Sequence, residues 1–168
     1  MITSGNGTGM KIELDDLSRE EVRRLIAEHL ADMHATSPPE SVHALDPGGL
    51  RTAGVSFWTV WDGPNLLGCG ALKELDPTAG EIKAMRTRPE ARGRGVAAHL
   101  LGFLLEEARR RGYQSVSLET GTQDFFAPAR RLYGRHGFVP CPPFADYTSD
   151  PNSTYMTLSL TARTPAED

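Results

Sequence analysis

The stretch Met85-Arg86-Thr87-Arg88-Pro89-Glu90-Ala91-Arg92-Gly93-Arg94-Gly95-Val96-Ala97 decides the fold. An apolar, strand-like run from Ile82 to Thr87 stops at Pro89. A loop with three arginines and two glycines follows and opens into a helical run, Ala97 to Arg111. The start of a helix carries backbone N–H groups without intrahelical partners, and its dipole favours negative charge. Glycines let the main chain approach a ligand, and arginines add charge-assisted hydrogen bonds to phosphate. The order strand, glycine loop, helix therefore predicts an anion site rather than a merely solvated basic loop.

Around this stretch the chain reads as one domain. It has 168 residues, 39% of them hydrophobic and 24% charged, which suits a single core of ordinary composition. A net charge of −4 argues against a general nucleic-acid binder. Two cysteines, Cys69 and Cys141, make neither a disulfide framework nor a zinc spacing, so both read as reduced thiols in a cytoplasmic protein, and no metal is expected. No apolar run approaches the ~18 residues of a membrane span. Residues 1–9 read as a flexible leader, with Met10 a candidate start, residues 10–160 as the domain, and residues 161–168 as a tail.

The remaining elements follow from periodicity. Lys11 to Leu14 is a short strand. Ser18 and Glu21 form a capping box ahead of a helix to about Met33, whose inner stripe includes Val22, Leu25, Ile26, His29 and Leu30. A short helix is expected over Glu40 to Leu45, and Pro47-Gly48-Gly49 is read as a loop. Val55 to Asp62, Leu66 to Leu75 and Glu81 to Thr87 are strands joined by tight turns, an antiparallel meander. After the central helix, closed by Gly112, the strand Gln114 to Thr120 returns by a helical crossover and should lie parallel to its predecessor. A last helix, Ala127 to His136, precedes a closing pair, Phe138 to Pro140 with Thr154 to Leu160. The expected class is α/β, a mixed α+β sheet with about four helices.

Gly93-Arg94-Gly95-Val96-Ala97-Ala98 also satisfies the dinucleotide fingerprint G-x-G-x-x-G/A, with Glu119 where a ribose-binding acid would sit. A Rossmann loop begins directly after its strand, whereas Arg88 to Arg92 intervene here. The residues that follow offer no further parallel βαβ units.

The sequence resembles instead the GNAT superfamily of acetyl-CoA-dependent acetyltransferases. Arg92-Gly93-Arg94-Gly95-Val96-Ala97 matches that family's R/Q-x-x-G-x-G/A loop. Its second signature appears as Ala129, Leu132-Tyr133 and Gly137-Phe138. Ser37 to Leu45, Gly68 to Leu75 and Phe144-Ala-Asp-Tyr147 are similar to a bacterial YsnE-like branch. The likeness covers roughly residues 10–160. It implies the GNAT acyl-CoA N-acyltransferase fold, whose fourth and fifth strands splay apart to admit pantetheine. One departure stands out: where many members place an asparagine seven residues before the motif tyrosine, this chain has Phe126. That leaves the contact to Thr120 or to backbone groups.

By this resemblance Gly93 to Ala97 receive the diphosphate of acetyl-CoA. Met85, Arg86 and Thr87 line the pantetheine, with Met85 offering an N–H to the thioester oxygen. Thr120, Phe126 and Ala129 stand nearby, and Tyr133 lies beside the sulfur. A phenol, with a reference pKa of about 10, stays protonated at neutral pH and can donate to a departing thiolate. Glu81, eleven residues before Arg92, takes the place of a base for the protonated amine, with Glu119 as a rival. By the period-two rule Glu81, Lys83 and Met85 share one strand face. The acceptor pocket is expected near His34, Glu40, His43, Phe144 and Tyr147. No cysteine has the setting of an acyl-carrying nucleophile. The expectation is direct acetyl transfer to a small amine in a ternary complex, by a monomer or homodimer without nucleic-acid or membrane partners. A non-catalytic acyl-CoA sensor, or transfer of another acyl group or to oxygen, remains open.

Overall fold

The structure is a computed structural model in which residues 9–160 are described. The leader expected over residues 1–9, but for Gly9, and the tail over 161–168 lie outside the described residues. In chain order the elements are β1 (Met10–Leu14), α1 (Glu20–Thr36), α2 (Pro47–Leu50), β2 (Val55–Asp62), β3 (Asn65–Asp76), β4 (Ala79–Thr87), α3 (Val96–Arg110), β5 (Ser115–Gly121), α4 (Ala127–Arg135), β6 (Val139–Pro140) and β7 (Ser153–Ser159). Single 3-10 turns at Pro39–Ser41, Pro89–Ala91 and Asp124–Phe126 link them.

The seven strands form one mixed sheet in the order β1-β2-β3-β4-β5-β7-β6. Neighbours are antiparallel except β4 and β5, which pair in parallel through the α3 crossover, as expected. Each face carries its own apolar layer. Leu100, Leu101, Leu104 and Leu105 of α3 pack with Ile12, Trp58, Val60, Leu72, Ile82, Val116 and Leu118. Val22, Leu25 and Ile26 of α1 pack with Phe57, Trp61, Leu66, Cys69 and Ala71 on the other face. Phe57 and Trp61 against Trp58 and Val60 show the period of two that sorts a strand's residues between faces.

Three local expectations are corrected. The Ser18–Glu21 capping box does not form: α1 starts at Glu20, its N-cap is Arg19, and no side chain among the described residues caps it. Asp15 and Asp16 accept instead from the N–H groups of Leu17 and Ser18, at 2.7 and 3.0 Å. These Asx turns tie Ser18 up ahead of the helix. α1 then runs past Met33 to Thr36, ending where Ser37 precedes Pro38 and is pushed out of the helical region. Of the short helix expected over Glu40 to Leu45 only the single 3-10 turn Pro39–Ser41 forms. The helical turn lies later, at Pro47–Leu50, where Asp46 accepts from the Gly49 N–H at 2.8 Å and proline occupies the first turn.

The third correction concerns β4. Cys69 pairs with Arg86 and Ala71 with Lys83, so Ala84 and Met85 together oppose Gly70. This bulge puts Ala84 at φ 57° and breaks the alternation. Glu81 and Lys83 stay on one face, but Met85 turns to the α3 layer. A Cβ on Gly70 would sit 2.6 Å from the Met85 sulfur and 2.9 Å from Leu100 Cδ2, so a larger residue there would require both side-chain ends to shift.

Candidate active site

The parallel pairing of β4 and β5 is short. It runs from Ala79 opposite Ser115 to Ile82 opposite Leu118 and then stops, although both strands continue. The two strands therefore part where the bulge begins. A cleft of about 590 Å³ opens between them and reaches from the start of α3 to the loop after α1.

At the α3 end the wall is backbone. Gly93 and Gly95 hold φ of 81° and 79°, which side-chain-bearing residues adopt at a cost of roughly 1–2 kcal/mol. Gly95 is the helix N-cap, and no side chain among the described residues caps it. The N–H groups of Val96, Ala97 and Ala98 thus lack intrahelical acceptors while these residues line the cleft. Arg92 and Arg135 line it too. Arg94 does not: its guanidinium reaches Asp62 at 3.0 Å, leaving only its main chain in the loop.

In the middle, Met85, Arg86 and Thr87 face Thr120, Gly121, Phe126, Ala129 and Tyr133 across the gap. Phe126 is buried against Gly121, where an added Cβ would lie 2.2 Å from its ring. Arg130 ties α4 to the end of β5, donating to the carbonyls of Gly121 and Gln123 at 2.6 and 3.0 Å. Tyr133 is 6% exposed and packs edge-on against Phe138. Burial holds its phenol above the ordinary value, so it remains protonated at neutral pH.

The far end is built from side chains. Glu81, the third residue of β4 rather than its first, is 2% exposed. Its Oε2 accepts from the Tyr147 hydroxyl at 2.6 Å and from the Lys83 ammonium at 3.2 Å. Lys83 also donates to the Tyr147 oxygen at 3.0 Å. Burial first, and the Glu81 carboxylate second, keep the Tyr147 phenol protonated. Glu119 on β5 accepts from Ser153 Oγ at 2.8 Å, and burial raises its carboxyl above the usual range. His43 lines the cleft and meets the Tyr147 ring edge-on at 5.0 Å. Phe144 and Tyr147 stand behind this wall; Phe144 meets the Tyr147 and Tyr155 rings edge-on, and Tyr147 lies tilted against Tyr155. His34 and Glu40 are exposed and outside the lining. Ser41 donates to Asp150 at 2.6 Å and accepts from Asn152 at 3.3 Å, joining the loop after α1 to the β6–β7 loop.

Sequence reasoning did not single out His29, Met33 or the side chain of Arg86, all of which line the cleft. His29 had one signal: a polar ring on the apolar stripe of α1. Burial, then the charge of Arg86, depress its imidazole to about 4. Cys69, fully buried with its thiol pushed up to about 12, cannot act as a nucleophile. Among the described residues, no group of three or more His, Cys, Asp or Glu is placed to hold a metal ion. No helix there is long and apolar enough to cross a membrane.

The model of the Acetyltransferase (GNAT) family matches residues 19–138. This chain belongs to the GNAT acetyltransferases. The N-acetyltransferase YsnE of Bacillus subtilis, itself uncharacterized, is 52% identical over 90% of this chain and 100% of its own length. YedL of Escherichia coli, of the same description, is 49% identical over 89% of this chain and 94% of its own. A solved structure from Klebsiella pneumoniae superposes with a TM-score of 0.73 at 28% identity, over 92% of this chain and 99% of that one. A GNAT acetyltransferase from Elizabethkingia anophelis with acetyl-CoA bound shares the fold, with a TM-score of 0.63 at 14% identity over 90% and 99% of the two chains. The mixed seven-stranded sheet with one parallel pair is thus the GNAT fold, and the chain is an acetyltransferase enzyme.

Proposed function

We propose that this GNAT acetyltransferase moves an acetyl group from acetyl-CoA to the amine of a small molecule by direct attack in a ternary complex. The single observation that carries this is the parting of β4 from β5 beyond Ile82 and Leu118, with an uncapped helix start at one end and a buried carboxylate at the other.

The residues present fit a diphosphate joined to a long amide-bearing arm. The N–H groups of the Gly93 to Ala97 loop, those of Val96 and Ala97 without intrahelical acceptors, suit the diphosphate, with Arg92 adding charge. Beyond the bulge, Met85, Arg86 and Thr87 have one strand edge free to hydrogen-bond the arm, and the Met85 N–H suits an oxyanion. Thr120, Phe126 and Ala129 close the opposite wall. When bound, acetyl-CoA supplies the activated thioester. Glu81 then takes the amine's proton through Oε1, which carries no hydrogen bond among the described residues. Tyr133 gives its proton to the departing thiolate, whose thiol has a reference pKa of about 8.5. Two free cysteines suit a reducing cytoplasm, and nothing in the scheme needs more than a monomer or homodimer.

Release of CoA should be followed over a panel of amino acids, polyamines, aminoglycosides, aromatic amines and peptides. We expect turnover with a subset of small amines. Tyr133→Phe should lower kcat about ten-fold or more while leaving the acetyl-CoA Kd nearly unchanged. Tight acetyl-CoA binding with no CoA release from any amine would instead favour a sensing module.

A further inference from the structure

The acceptor end of the cleft holds a cation whose donors are only partly used. The Arg86 side chain leaves β4 just past the bulge, on the face covered by α1, and is 8% exposed. One terminal nitrogen meets Asp32 Oδ2 at 2.6 Å. Its Nε is buried without a hydrogen-bond partner among the described residues. A guanidinium carries five N–H donors in a rigid fork that matches a carboxylate, and leaving them unmet in a dry site is costly. One turn of α1 away from Asp32, His29 is 8% exposed, and its Nδ1 also lacks a partner. Both residues line the cleft, with Met33 and Ser37 beside them. Held neutral by burial and by Arg86, His29 can offer a ring N–H without adding charge.

The geometry points to a carboxylate on the acceptor: Arg86, with His29 beside it, receives the acid group of an amino-carboxylate whose amine is directed to Glu81. This site presupposes the amine acetylation proposed above and narrows its substrates. The charges facing Arg86 are consistent with it. Asp32 is partly exposed and neutralises the guanidinium from the outer side. Lys83 is already matched to Glu81, and Glu119 is engaged by Ser153 across the cleft. Arg86 is therefore the cation in this wall that an incoming acid can recruit. A buried, hydrogen-bonded carboxylate discriminates strongly against an analogue lacking it, because the receptor's polar groups are then left unpaired.

The test compares CoA release from matched sets: amino acids, their carboxamides, and the corresponding decarboxylated amines. The acids should be preferred in kcat/KM by ten-fold or more. Arg86→Gln should collapse that preference by raising KM for the acids. Asp32→Asn, which frees the guanidinium, should act oppositely and lower KM for the acids several-fold, a readout independent of whether the Arg86 variant folds. Equal use of acids and carboxamides, or an unmoved KM in Asp32→Asn, would overturn the carboxylate site while leaving amine acetylation standing. Turnover of no amine in any set would remove the proposed function itself.

Discussion

The two ends of the cleft are made of different material. At the α3 end the groups that face a ligand are main-chain N–H donors, set by two left-handed glycines five and seven positions after Arg88. At the other end they are side chains: Glu81, Lys83, His43, His29 and Arg86, brought in by β4, α1 and the loop after it, with Tyr147 and Asp32 holding Glu81 and Arg86 from behind. Backbone sites are local and tolerate almost any side chain that points away, as Arg94 does. Side-chain sites depend on partners far along the chain, such as Tyr147 on Glu81, 66 residues apart. The first kind suits a cosubstrate shared across a family, the second an acceptor that differs from member to member.

The contrast is open to test, most severely at Glu81. Glu81→Gln keeps the shape but removes the proposed base, and on that proposal kcat/KM should fall about 10²-fold or more. A loss under three-fold would move the chemistry to Glu119. The next effect concerns stability. The folded chain keeps His29 neutral to about pH 4, whereas an unfolded imidazole binds its proton near 6.5. Between those values the unfolded state holds more protons, so the stability from this residue is complete above about 6.5 and is lost as pH falls toward 4. Urea unfolding should register roughly 2 kcal/mol of this loss between pH 6.5 and pH 5, and His29→Gln should abolish it. A parallel pH dependence in parent and variant would mean that the imidazole is not held neutral.

How far each end was legible follows from the same contrast. The glycine loop, the central helix, the parallel return of β5 and the β6–β7 pair were all readable, because spacing and turn residues encode them within a dozen positions. Misreadings arose where two local signals competed. Ser18 looked like a cap, yet Asp15 and Asp16 took the neighbouring N–H groups first. Asp46-Pro47 was a helix-start signal hidden inside a glycine pair. The β4 bulge left no mark in β4 itself; its trace was Gly70 on the facing strand, intelligible only once the register is known. His34 and Glu40 were expected near substrate because their helix and loop border the site, but exposure places them on its outer surface.

Two smaller effects sharpen the comparison. Gly95→Ala places a methyl where nothing lies within 4 Å, so any damage is conformational rather than steric. At roughly 1–2 kcal/mol for the left-handed backbone, the acetyl-CoA Kd should rise about ten-fold with kcat less affected. A Kd within two-fold of the parent would mean that the loop's shape is not used for binding. Tyr147→Phe removes one of two donors to Glu81 and leaves Lys83 in place. We expect kcat to fall about three- to ten-fold at constant acetyl-CoA Kd. Equal effects on both constants would assign Tyr147 to general packing.

The knot of Ser41, Asp150 and Asn152 has a consequence for how such an enzyme changes its diet. It fastens the segment after α1 to the segment before β7, so a change in one of these two coverings bears on the other. On the function proposed above, rewriting those coverings would exchange the molecules admitted, while the sheet beneath would keep its opening and the donor its berth.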